Sequence, residues 1–106
     1  MPTIAIELPM KEIRRFCEKW RIRELAVFGS ILSENFRADS DIDFLYTFDD
    51  NCGWDLFDVI DMKQELESLL NREVDFVDRE IVEKSPNWAR RKLILDSALA
   101  VYRETI

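Results

Sequence analysis

Hydrophobic positions recur along this chain with two periods, and the change from one to the other outlines its elements. Ile13, Phe16, Cys17 and Trp20 fall at i, i+3, i+4 and i+7, one face of an α-helix, with Lys11, Glu12, Arg14, Arg15 and Glu18 outside it. Pro9 suits the opening of that helix, because a proline at the first helical position forfeits no needed hydrogen bond. A helix over roughly 10–21 is expected after a short, mostly apolar lead-in. ELAVF at 24–28 reads as a short buried strand that ends at Gly29-Ser30. ILSENF at 31–36 reads as one or two helical turns with Ser30 as the N-cap. After the polar loop RADS, DIDFLYTF at 41–48 is rich in aromatic and branched side chains and predicts a second strand.

Asp49, Asp50, Asn51, Cys52 and Gly53 make a turn. The longest helical pattern covers 54–70, where Leu56, Val59, Ile60, Leu66 and Leu70 share a broad face that Lys63 interrupts. VDFV at 74–77 predicts a third strand. Pro86 marks the start of a last helix over roughly 87–97, with Trp88 and Leu95 on one side. The tail ALAVY is compatible with continued helix and with a fourth, edge strand. The order is that of an α/β fold, a small mixed β-sheet flanked by helices.

At 106 residues the chain is expected to be one domain, 1–106. Hydrophobic residues make up 47%, enough for a core, although a domain this small buries a modest share of its surface. The balance of 22 Asp and Glu against 15 Lys and Arg leaves a net charge of −7. Stable nucleic-acid binding is not expected, because each backbone phosphate contact needs a cation. Cys17 and Cys52 belong to no CxxC pair and are read as reduced, Cys17 within the core. With no basic start followed by an apolar run and no stretch long enough to span a bilayer, no membrane association and a cytoplasmic location are expected. The chain has no histidine. Catalysis must then use carboxylates, hydroxyls, Lys or Arg, or a hard cation such as magnesium.

Three features carry candidate chemistry. Gly29, at the end of a buried strand, lets backbone approach a ligand closely, and the amides of the turn that follows favour an anion such as a phosphate. Alone, Gly-Ser is equally an ordinary turn. Asp41 and Asp43 lie two apart in a strand and so share a face, while Ile42 and Phe44 point into the core. Two like charges so close raise each other's pKa and call for a cation between them; the plainer reading is a solvated strand end. Asp75 is a lone acid in an apolar strand, which suits a third metal ligand or a general base, or else the wet face of an edge strand. A phosphate-cradling turn, a paired-carboxylate strand and a third carboxylate together form a constellation for two-metal phosphoryl or nucleotidyl transfer.

FGSILSENFRADSDIDFLYTF resembles the signature of the minimal nucleotidyltransferase (MNT) family of the DNA polymerase beta-like superfamily: Gly-Ser, ten residues, then Asp-x-Asp. REVDFV resembles its third-carboxylate strand and SPNWARRKLILDSALAVY its closing helix and tail. The resemblance implies the nucleotidyltransferase fold and an Mg2+-dependent enzyme with ATP as nucleotide donor. It implies the antitoxin of a toxin–antitoxin pair, which transfers AMP to a tyrosine of a HEPN-domain ribonuclease toxin and silences it. In that scheme Gly29 and Ser30 hold the triphosphate, and Asp41 and Asp43 bind magnesium. Asp75 completes the metal site and helps deprotonate the tyrosine. Many relatives carry an arginine a few residues after Gly-Ser; here the nearest is Arg37, taken as the nucleotide contact, with Arg90 and Arg91 as alternatives. An antitoxin acting by contact alone, or the catalytic subunit of a two-protein transferase for a small molecule, are the competing readings.

Overall fold

The computed structural model describes residues 4–50 and 52–104. The elements are α1 (Met10–Lys19), β1 (Ile22–Phe28), a 3-10 turn (Gly29–Leu32), β2 (Ile42–Phe48), α2 (Leu56–Leu70), β3 (Val74–Asp78), α3 (Arg79–Glu83), α4 (Trp88–Ser97) and β4 (Leu99–Arg103). The strands form one mixed sheet in the order β3-β2-β1-β4. β1 runs antiparallel to β2 and β4, and β2 runs parallel to β3.

Both faces of the sheet are covered, and strand alternation sorts the core accordingly. Leu25, Val27, Ile42, Phe44 and Tyr46 point to one face, where Ile13, Phe16 and Cys17 of α1 and Met62 and Leu66 of α2 close over them. Ala26, Phe28 and Leu45 point to the other, where they meet Val82 of α3 and Ile94 of α4. The expected inward direction of Ile42 and Phe44 is therefore right. The opposite face is not simply wet, since Leu45 is equally buried there.

Local chemistry sets the boundaries. Pro9 stands in the cap position of α1, where its carbonyl accepts from the Ile13 amide at 3.0 Å. The helix stops at Lys19, and Arg21 takes a left-handed φ of 55°, so β1 begins two residues earlier than the pattern suggested. α2 starts with a capping box in which Asp55 and Asp58 each accept the other's backbone amide, and it ends at left-handed Asn71. Its buried residues are Met62 and Leu66, while Leu56 and Ile60, expected on the inner face, are exposed. Likewise Trp88 of α4 is exposed and Ile94 is the buried residue. α4 opens at Asn87, whose side chain accepts from the Arg90 amide.

Three expectations are corrected. Ser30 is not an N-cap: it lies inside the 3-10 turn, whose cap is Phe28. The tail is the edge strand β4, because Ala98 leaves helical geometry and the residues after it pair with β1. A helix that periodicity did not reveal, α3, follows β3 directly, capped by the Asp78 carboxylate accepting from Glu80 N. Of the turn expected at 49–53, Asn51 lies outside the described residues. Cys17 is buried and unpaired, as expected, and burial pushes its thiol up to about 12. Among the described residues no helix is long and apolar enough to cross a membrane.

Candidate active site

The antiparallel pairing of β1 with β2 brings the end of one strand to the start of the other. Phe28 sits opposite Asp43, so the chain leaves β1 through Gly29 beside the Asp43 side chain. Gly29 has φ +75°, and a methyl group placed on it would run into the Asp43 carboxylate. Glycine is thus required twice over, for the left-handed backbone and for the space that Asp43 fills.

On the other side of Asp43, the parallel pairing of β2 with β3 sets Asp75 directly next to it in register. Neighbours in register point to the same face, and Val77, two residues on, packs in the same cluster as Leu45. Asp41 lies one residue before β2 and is exposed. Burial first, then the charges of Asp75 and Asp41, push the Asp43 carboxyl above its ordinary range. The carboxylates are neighbours without forming a closed cage: among the described residues no three acidic side chains converge at metal-ligand spacing. Oxygen donors that raise one another's charge cost fit a hard divalent cation.

Two further contacts steady this end of the sheet. The Ser30 hydroxyl donates to the Asp41 carbonyl at 3.5 Å, a long bond between turn and strand. Arg72, just beyond α2, donates one guanidinium nitrogen to the Arg37 carbonyl at 2.9 Å and the Ser40 carbonyl at 2.8 Å. Its guanidinium also lies over the Phe36 ring, 4.7 Å from the centroid. The loop that delivers Asp41 is therefore clamped from behind.

A cavity of about 490 Å³ opens on the turn and runs along α4, lined by Phe28, Gly29, Leu32, Ser33 and, from the helix, Arg90, Leu93, Ile94 and Ser97. Arg90 is the one charged side chain lining it. A larger cavity, about 590 Å³, includes Glu24, Arg79 and Arg103. There Glu24 takes both arginines as ion-pair partners, so the charge is already satisfied.

A family model described as "Nucleotidyltransferase domain" matches residues 10–101. A solved structure described as a minimal nucleotidyltransferase is 30% identical, with a TM-score of 0.66 over 85% of this chain and 86% of that one. The chain belongs to the nucleotidyltransferase domain family. A protein adenylyltransferase, MntA, from Thermococcus cleftensis is 37% identical over 67 residues, 63% of this chain and 63% of that protein. The match thus spans less than two thirds of that relative's length. A toxin–antitoxin structure with AMP-PNP shares the fold, with a TM-score of 0.69 at 19% identity over 92% of this chain and 76% of that one.

Of the residues expected to act in this nucleotidyltransferase domain, Gly29, Ser30, Asp41, Asp43 and Asp75 meet at one end of the sheet. Arg37 is exposed, and its backbone is engaged with Ser40 and Arg72. Arg91 donates to the Ser85 carbonyl at 3.0 Å. Arg90 is the arginine that shares a cavity with Gly29. Sequence reasoning missed Arg72 and the apolar wall of that cavity. Neither has a local signal, because each acts on residues distant in the chain.

Proposed function

We propose that the chain is an Mg2+-dependent nucleotidyltransferase that moves AMP from ATP to a tyrosine hydroxyl of a HEPN-domain ribonuclease toxin, and so acts as its antitoxin. The observation that carries this reading is Asp43, held between Gly29 and Asp75 with its carboxyl raised by its acidic neighbours. A family match that spans most of the chain supports the reaction class. The exposed side chains of Leu56, Phe57, Ile81, Trp88 and Leu93 support a protein partner.

Asp41, Asp43 and Asp75 are the residues that hold the metal. When bound, magnesium neutralises the donor's phosphates and the developing charge of transfer. The Gly29-Ser30 turn lies where the triphosphate meets backbone amides. The tyrosine oxygen attacks the α-phosphorus and forms the new P–O bond. The bond from that phosphorus to the bridging oxygen breaks, and pyrophosphate leaves with the electron pair. Asp75 is exposed, and it takes the tyrosine proton.

Mass spectrometry of a cognate HEPN protein, incubated with the chain, ATP and magnesium, is expected to find added AMP. Asp41→Ala and Asp43→Ala remove the adduct while leaving the fold intact. A HEPN partner that stays unmodified by the unmutated chain refutes the enzymatic reading. Full protection from the toxin by the double aspartate variant favours inhibition by contact alone.

A further inference from the structure

The cavity beside the turn has two chemically different ends, and this suggests what fills it. One wall is apolar, built from Phe28, Leu32, Leu93 and Ile94. Phe28 and Ile94 belong to the core and are rigid, whereas Leu93 is 71% exposed and does little for the fold. The charged element is Arg90, which makes no ion pair with any described residue although the chain carries a net charge of −7. Gly29 lines the cavity and also touches the Asp43 side chain, so the cavity is continuous with the carboxylates. Its volume of about 490 Å³ falls in the range of small-molecule sites, roughly 300–1,000 Å³.

We propose that this cavity is the subsite for the nucleoside triphosphate donor, with Arg90 holding its phosphates and Leu93 covering one face of its base. This rests on the nucleotidyl-transfer reading and adds to it the position of the donor. A ligand that spans from the carboxylates into the cavity must carry negative charge at the near end, to meet Arg90 and a metal, and a flat apolar group beyond it. A nucleoside triphosphate has that build. The guanidinium supplies paired donors to phosphate oxygens, and its charge is permanent. The apolar wall has few polar groups, which suits a base held by its faces more than by its edges.

The assignment separates two contributions, and two probes read them apart. Binding of AMP-PNP and of inorganic tripolyphosphate, each with magnesium, is measured by calorimetry on the full chain. Leu93→Ser is expected to weaken AMP-PNP by about five- to ten-fold and to leave tripolyphosphate unchanged. Arg90→Gln is expected to weaken both ligands by about ten-fold or more. Leu93 and Arg90 are both exposed, so unchanged melting temperatures show that the variants fold. If both variants bind both ligands like the unmutated chain while Asp43→Asn does not, the donor sits elsewhere and this proposal falls, leaving nucleotidyl transfer intact. A loss on Arg37→Gln in place of Arg90→Gln overturns it equally. Failure of the unmutated chain to bind AMP-PNP at all removes the transfer reading and this subsite with it.

Discussion

Gly29→Ala tests the geometry of the candidate site at its tightest point, and Gly53→Ala supplies an internal control. Both glycines have left-handed backbone, φ +75° at Gly29 and φ +72° at Gly53. An L-residue in that region costs about 1–2 kcal/mol. Only the surroundings differ: a methyl group at Gly29 meets the Asp43 carboxylate, while at Gly53 nothing lies within 4 Å. Both variants should therefore lose about 1–2 kcal/mol from the backbone, and a domain of this size melts about 4–8 °C lower for each kcal/mol. Gly29→Ala adds a displacement of Asp43, because the short aspartate side chain can escape the methyl group only by turning its carboxylate away. The consequence is read in ligand-dependent stabilisation. At one hundred times its dissociation constant a ligand stabilises a fold by about 2.7 kcal/mol. Thermal melts with AMP-PNP and magnesium should show that gain for the unmutated chain and for Gly53→Ala, and little of it for Gly29→Ala. Equal gains for the two glycine variants would refute the role assigned to the Gly29–Asp43 contact.

Other consequences follow from the same contacts. Asp43→Asn removes a charge that burial, Asp75 and Asp41 all disfavour, so the variant without metal should melt higher than the parent. Asp43 remains largely solvated, so a gain of no more than about 0.5–1 kcal/mol is expected, and a lower melting temperature would contradict it. Arg72→Ala frees the Arg37 and Ser40 carbonyls and uncovers Phe36. Amide exchange over residues 37–41 should then quicken while the β1 amides keep their protection; unchanged exchange in the loop would show that Arg72 does not clamp it. Glu67 accepts from Val74 N at 3.0 Å and from Lys63, which tie α2 to the start of β3. The Val74 amide is the leading cause that holds its carboxyl below the ordinary value. A depressed folded pKa means that its contribution is present above the unfolded value and lost as pH falls through the folded one. Glu67→Gln should therefore lower the melting temperature near neutral pH and converge with the parent in acid; a constant gap at all pH values would rule out the ionic account.

The parts of this protein that were legible before folding are those governed by local rules. Strand alternation placed Asp41 and Asp43 on one side and Ile42 and Phe44 on the other, and Ile42 and Phe44 are fully buried. The helical spacing of Ile13, Phe16 and Cys17 identified the buried face of α1. Local periodicity failed where burial depends on what lies opposite. Leu56 and Ile60 continue an apolar stripe along α2 yet face outward, because the sheet meets only Met62 and Leu66 fully. The five-residue α3 is too short to show a period, and the tail's strand character came from its pairing with β1.

The site itself divides in the same way. Gly29, Ser30 and the paired aspartates stand out from their spacing along the chain, since the turn and the strand that follows it are close in sequence. Asp75 was visible as an oddity in an apolar strand, but its meeting with Asp43 depends on β3 pairing in parallel with β2 and in that register. Arg90 and the wall around Leu93 reach Gly29 because α4 packs on the face of the sheet that carries the carboxylates. Periodicity is a property of neighbouring residues and is written in their order. Which distant side chains share a cavity depends on how the elements bury their faces against one another, and that emerges only when the chain packs.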